Sequence, residues 1–376
     1  KGNDDITIAG VIADAHTLVE ASEGDDDVTV TNTNTRVLNS LTSLTMKGGL
    51  GEDVIDASQS GFDVTIEGNQ GDDVIFGSAY DDNLSGNEDN DLIAGGLGAD
   101  KISGDEGQDI LFGDLASITL ELPTNPSPVG VPVALLQGPV VSVTVDYATV
   151  TDQLAGIEYQ YQYFRDGVIT HLESTLTGST IGNGDTIIGG IGNDTIIGGA
   201  GQDIISDSSG NELVFGDSAL ITYLAGANLA MASRHSNEGD DDIITLLDGN
   251  NIVIGGSGKD TIRINVEEDP TNLGSYIPTT VSSTDIVLGD NGQISWNSDQ
   301  ALTSVNSTDT SVGGGDEITL GNGSKTVIGG IGEDTVITGT SGIHRVIGDN
   351  GTITYDAGAL RSMSSSDDVN GGLDKI

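Results

Sequence analysis

The amino-acid sequence predicts an all-β solenoid carrying β-rich insertions, and three observations lead to it. A nine-residue unit of the form G-G-x-G-x-D-x-U-x, in which U is a large aliphatic residue, recurs along the chain. Of 376 residues, 56 are Gly, 35% are hydrophobic and 4% are aromatic, too few apolar groups for a thick conventional core. No apolar run reaches the roughly 18 residues of a membrane span, and no stretch shows the periodicity of a useful amphipathic helix.

Twelve Lys plus Arg stand against 59 Asp plus Glu, a formal net charge of -47. A polyanion cannot neutralise phosphates, so nucleic acid is excluded as a partner, and an anionic membrane surface would repel the chain. Metal cations are its natural counter-charge. High charge with few aromatics is also the composition of a disordered chain, but the periodicity decides against that reading. The absence of Cys removes disulfides, cysteine-zinc sites and thiol catalysis, and fits an extracellular protein stabilised in another way.

Six copies match the whole unit, starting at Gly48, Gly95, Gly189, Gly198, Gly255 and Gly329. Degenerate copies fill gaps: residues 68 to 112 parse into five consecutive units and residues 180 to 215 into four. Each position has a physical task. Gly permits a tight turn and lets carbonyls crowd toward one point. The x-U-x segment is a short strand whose central residue points inward and whose neighbours point outward. Two units then make one flattened coil of 18 residues, which stacks the sixth-position Asp of one coil on that of the next.

Spacing of 18 pairs Asp73 with Asp91, Asp91 with Asp109, Asp82 with Asp100, Asp185 with Asp203, Asp242 with Asp260 and Asp316 with Asp334. Carboxylates one strand apart, about 4.8 Å, repel by about 1–3 kcal/mol, so a bare stack is unstable. Calcium binds oxygen at about 2.3–2.6 Å, half the strand spacing, and accepts a carbonyl-rich cage that magnesium does not. The expected metal ligands are Asp53, Asp73, Asp82, Asp91, Asp100, Asp109, Asp185, Asp194, Asp203, Asp242, Asp260, Asp316 and Asp334. Each coil buries about two U side chains at roughly 1.5–3 kcal/mol apiece, while ordering its backbone costs about 1–2 kcal/mol per residue. Folding is therefore expected to await the cation.

Tandem copies of this unit resemble the RTX family, whose hemolysin-type calcium-binding repeats form a right-handed parallel β-roll. The resemblance implies a right-handed parallel β-roll or β-solenoid with inserted β-hairpin excursions, several bound calcium ions, and secretion of the unfolded chain to a calcium-rich exterior where it folds. It further implies a bacterial surface, matrix, biofilm or adhesin setting, without membrane insertion.

A longer repeat overlies the first: LFGDLASITL around Asp114, VFGDSALITY around Asp217, VLGDNGQISW around Asp290 and VIGDNGTITY around Asp349, spaced by 103, 73 and 59 residues. It divides the chain into a solenoid start with an excursion (1–47), a repeat roll (48–114), a β-rich insertion (115–179), a second roll (180–217), a long repeat with loops (218–290), another (291–349) and an incomplete repeat (350–376). The insertion holds an aromatic cluster of Tyr147, Tyr159, Tyr161, Tyr163 and Phe164, read as a small local core ahead of a ligand platform. The last residues, GGLDKI, joined to the first, KGNDDITIAG, would read as two further units with Asp374 and Asp4 or Asp5 in metal positions. Continuation into further repeats, or head-to-tail stacking of copies, is the expectation.

Catalytic signatures are missing from the sequence. Ser218, in FGDS at 215 to 218, resembles the nucleophile of GDSL-type esterases, yet the other three Gly-Asp copies carry Leu or Asn there and no Asp-x-x-His accompanies it. His16, His171, His235 and His344 are scattered, and neither H-E-x-x-H nor G-x-S-x-G occurs. The sequence therefore points to a calcium-dependent structural module rather than an enzyme, with the export and folding module of a toxin or secreted enzyme as the alternative.

Overall fold

A computed structural model describes residues 2–9, 16–31, 43–121, 142–146, 168–174, 183–224, 227–235, 239–366 and 373–376. The aromatic cluster of the insertion lies outside these residues, as do Gly371 and Gly372 of the expected last unit. Among the described residues the fold is all-β, and no helix is long and apolar enough to cross a membrane.

The x-U-x segments form strands as short as Val54–Asp56, Val74–Phe76 and Leu92–Ala94. Successive strands of the repeats alternate between two parallel sheets. Among the described residues sheet A has 12 strands, from Asp5–Ile8 to His344–Asp349, and sheet B has 11, from His16–Glu23 to Thr335–Thr338. Strict register stacks the U residues, Ile55 on Ile75 on Ile93 in sheet A and Ile66 on Leu84 on Ile102 in sheet B. These two columns face each other and form the inner core.

Sheet B follows the expected alternation, with Ile188 and Ile204 beside buried Ile187 and Ile205 left 45% and 48% exposed. Sheet A departs from it, because Val54, Val74, Phe76, Phe112 and Phe215 beside the U positions are buried as well. The cause is a third layer. The segments that leave the repeats pair into an antiparallel nine-stranded sheet C, which includes Ala116–Glu121, Val168–Ser174, Ala219–Leu224, Ala227–Ser233, Gly292–Trp296, Leu302–Ser307, Gly351–Asp356 and Ala359–Ser365. Its Ile118, Leu172, Ile221, Met231, Ile294, Val305 and Ile353 pack on the outer face of sheet A as a second core.

Each coil has two turns, one entering sheet A (edge A) and one entering sheet B (edge B). On edge B the second turn residue alternates from coil to coil: Gly96, Asp114, Gly199, Asp217, Gly256, Asp290, Gly330, Asp349. The Gly residues take φ between 113° and 121°, and the turn closes in six residues. The Asp residues are not among those at positive φ; there the chain leaves into sheet C and returns in time to supply the sixth position, as Asp185, Asp242, Asp316 and Asp374. From Gly95 on, one insertion thus accompanies every two coils: the first places Ala116–Glu121, Ser142–Asp146 and Val168–Ser174 in sheet C, and each of the later three adds one two-stranded hairpin. Strands in all three sheets are about 4.7–4.9 Å apart, so two coils and one two-stranded hairpin advance equally, and sheet C keeps step with sheet A.

Candidate metal centre

The turns carry their sixth-position side chains inward, where they form one continuous row along each edge. On edge B the backbone N–H of each Asp donates to Oδ1 of the Asp one coil on: Asp82 to Asp100 (2.7 Å), Asp100 to Asp185 (2.7 Å), Asp185 to Asp203 (2.7 Å) and Asp203 to Asp242 (2.8 Å). The row continues through Asp260 (2.9 Å), Asp316 (2.8 Å), Asp334 (2.8 Å) and Asp374 (3.1 Å). Edge A runs from Asp4 through Asp26, Asp53, Asp73, Asp91, Asp109 and Asp194 with N···O distances of 2.6–2.9 Å. It then changes character: Asp194 donates to Glu212 Oε2 (2.7 Å), Glu212 to Asn251 Oδ1 (2.8 Å) and Asn251 to Asp285 Oδ1 (3.0 Å).

Opposite Asp285 in the strand register stands Lys325. Both side chains are wholly buried, and the Lys325 Nζ is 2.5 Å from Asp285 Oδ2 and 2.7 Å from Ser283 Oγ. A tethered ammonium thus meets the carboxylate at this step.

All thirteen Asp residues singled out in the sequence lie in these rows, Asp53, Asp73, Asp91, Asp109 and Asp194 on edge A and the other eight on edge B. The structure also joins neighbours that a period of 18 could not relate: Asp100 with Asp185 and Asp109 with Asp194, 85 residues apart, Asp203 with Asp242, 39 apart, and Asp260 with Asp316, 56 apart. Sequence reasoning missed Asp26, hidden by a long interval before Asp53, and Glu212, which replaces Asp at a sixth position.

The hydrogen bond uses one carboxylate oxygen only. The other, Oδ2 of Asp91, Asp100, Asp109, Asp185, Asp194, Asp203, Asp242, Asp260, Asp316 and Asp334, is buried and accepts no hydrogen bond. Each of these Asp residues is at most 2% exposed. An unsatisfied buried anion is among the costliest groups a fold can contain, so each of these carboxylates calls for either a proton or a cation. The space for it is kept by glycine. A Cβ on Gly95, Gly198, Gly255 or Gly329 would collide with Oδ2 of Asp100, Asp203, Asp260 or Asp334 respectively, and also with the carbonyl oxygen of Gly113, Gly216, Gly289 or Gly348 one coil on. Carboxylate and carbonyl oxygens therefore converge on a cradle with no sulfur or imidazole donor, the donor set of a hard divalent ion and of calcium in particular.

Without a cation, burial pushes these carboxyls far above their usual range: Asp185 to about 10, Asp91 to about 9, Asp100 to about 8, Asp82, Asp194 and Asp334 to about 7 and Asp109 to about 6. Neighbouring carboxylates raise them further, and the backbone N–H donated to each opposes the shift. Asp203, Asp242, Asp260 and Asp316 are raised well above the usual range by the same burial.

The Asp residues of the longer repeat act differently. Asp114 Oδ2 accepts the N–H of Ala200 (2.6 Å), Asp217 Oδ2 accepts both N–H (2.5 Å) and Oγ–H (2.7 Å) of Ser257, and Asp290 accepts Gly314 N–H (2.9 Å) and Ile331 N–H. Each pins the root of a sheet C hairpin to the next coil. Ser218 is buried, and its carbonyl accepts the N–H of Arg234 within the same hairpin (2.8 Å).

The family described as RTX calcium-binding nonapeptide repeat (4 copies) matches residues 67–102, 85–116, 181–211, 188–218 and 238–263. No curated protein and no solved structure matches the chain. Over those residues the chain carries RTX calcium-binding repeats, and they contain Asp73, Asp91, Asp109, Asp194 and Glu212 of edge A and Asp82, Asp100, Asp185, Asp203, Asp242 and Asp260 of edge B; the rows run on beyond them at both ends.

Proposed function

We propose that these RTX repeats form a structural module, a right-handed β-roll of a secreted bacterial surface or matrix protein, in which calcium acts as both glue and folding trigger. The observation that supports this most directly is the pair of buried carboxylate rows, in which Asp residues such as Asp91, Asp100, Asp203, Asp260 and Asp334 have one oxygen engaged by the backbone and the other turned into a glycine-kept oxygen cradle. A module of this kind lengthens by adding coils, and the short pairing of Lys375 with Thr335 beyond the last strand of sheet B is in keeping with a stack that continues into further repeats or a second copy, as in an extracellular fibre or large adhesin. The role is architectural rather than catalytic in this reading. The experiment is circular dichroism of the chain with and without a calcium chelator, followed by electron microscopy in calcium. Strand signal that survives chelation unchanged would remove calcium as the trigger; monodisperse short particles at high concentration would remove self-assembly.

A further inference from the structure

The step on edge A between the turns 189–194 and 207–212 differs from all others. The second turn reads DSSGNE, with Asp207 where turns 86–91, 104–109 and 189–194 begin with Gly, and with Glu212 in the sixth position. Asp207 reaches back to the preceding coil, its Oδ1 accepting the N–H of Gly190 at 2.8 Å. It thereby joins Asp194 and Glu212, so that three carboxylates each place an oxygen within 4.8 Å of the others. Asp194, Asp207 and Glu212 are 1%, 4% and 2% exposed. Independently of that clustering, Asp194 Oδ2 and Glu212 Oε1 are buried and accept no hydrogen bond. A Cβ on Gly189 would fall 2.5 Å from Asp207 Oδ1 and 2.7 Å from Asp194 Oδ2, so the glycine keeps this cradle open too. None of the ion pairs among the described residues reaches the three carboxylates.

We propose that this gap is a three-carboxylate calcium site that fills before the two-carboxylate steps of either row. Calcium affinity in an all-oxygen site rises with the number of ligand charges and with the rigidity of the cage, and here both are increased. The third carboxylate is supplied by the turn itself, and the three are held by backbone donors: Asp109 N–H on Asp194 (2.9 Å), Asp194 N–H on Glu212 (2.7 Å) and Gly190 N–H on Asp207. The location fits a first-filled site, because edge A beyond Glu212 continues with the neutral Asn251. Binding there clamps the last carboxylate-rich turns of edge A to the coil that launches the hairpin after Asp217.

This inference rests on the calcium reading of the rows, and the experiment separates the two. The full chain is equilibrated with calcium alone at a series of buffered free concentrations, passed through gel filtration, and its bound calcium counted by elemental analysis. Wild type is expected to retain one ion per chain at free calcium at least tenfold below that needed for the rest. Asp207→Gly, which restores the residue that begins neighbouring turns, and Asp207→Asn, which keeps the acceptor for Gly190, are both expected to lose that early ion while reaching wild-type strand content at saturating calcium. An early ion retained in both variants, or no early ion in wild type, overturns the inference; failure of wild type to bind calcium at any concentration overturns the calcium reading itself.

Discussion

Edge B keeps Asp in nine successive coils, from Asp82 to Asp374, whereas edge A keeps carboxylates from Asp26 to Glu212 and then passes through Asn251 to Asp285 and Lys325. In the coil before Asp82, Val64 stands at the equivalent position of edge B, donating its N–H to Asp82 Oδ1 at 2.7 Å. The rows therefore overlap only in the middle coils. In the proposed calcium reading, the coils before Asp82 rely on cations at edge A, the last on cations at edge B, and those between on both. Coils stack through Asn251 and through the Asp285–Lys325 pair as they do through Asp, so in this reading it is the carboxylate row, not the stacking, that calls for a cation.

The largest effect is expected from interrupting edge B where the rows overlap. Asp203 stands between Asp185 and Asp242, so Asp203→Ala removes a ligand from two steps at once. The calcium midpoint of folding, followed by circular dichroism, should rise at least tenfold. An unchanged midpoint would show that edge A suffices.

Next comes the ammonium of edge A. Lys325→Met leaves Asp285 as a buried charge without its partner, a loss of about 3–5 kcal/mol that added calcium should not fully restore. Urea unfolding in saturating calcium measures it. Lys325→Asp should instead extend the carboxylate row, and bound calcium per chain should rise relative to wild type; no additional ion would mean that the end of edge A cannot form a cradle.

A smaller and opposite response to pH is expected in the two metal states. Folded-state carboxyls raised to between about 6 (Asp109) and about 10 (Asp185) stabilise the metal-free fold when protonated. That contribution is fully present below the unfolded carboxyl pKa, about 4, and is lost as pH rises through about 6 to about 10. Metal-free chain should therefore show more strand signal at pH 5 than at pH 9, while in calcium the midpoint should shift to higher calcium as protons compete at low pH. The smallest change is Asn251→Asp. It adds a charge between Glu212 and Asp285 and should create one further weak calcium site, visible in the ion count and almost silent in stability.

Much of this could be read from the residues themselves, for a local reason. Asp82 and Asp100, or Asp242 and Asp260, are related by a fixed number of residues because an uninterrupted coil has a fixed length. Asp100 and Asp185 are not, since the intervening hairpin has no fixed length and only closure of the turn restores register. Val54 and Phe76 read as outward strand positions until sheet C covers them, and that covering depends on pairing between hairpins far apart in the chain. Lys325 sits in SKTVIGG, a stretch in which a lone Lys ordinarily belongs to a solvated face; its partner Asp285 is 40 residues away on the next strand. Glu212 is one methylene longer than the residue the pattern requires, so a search for Asp passes over it.

The alternation of closed and opened turns on edge B also governs how such a chain can be inherited. A gene duplication that copied a single coil would advance sheet A by one strand and leave sheet C half a hairpin behind, exposing the outer faces of residues such as Phe112 and Phe215. Copying two coils, one ending in Gly-Gly and the next in Gly-Asp, adds a matched block to every layer. Lineages of this molecule are therefore expected to differ in length by even numbers of coils, with the hairpins free to drift in sequence as long as their count keeps pace.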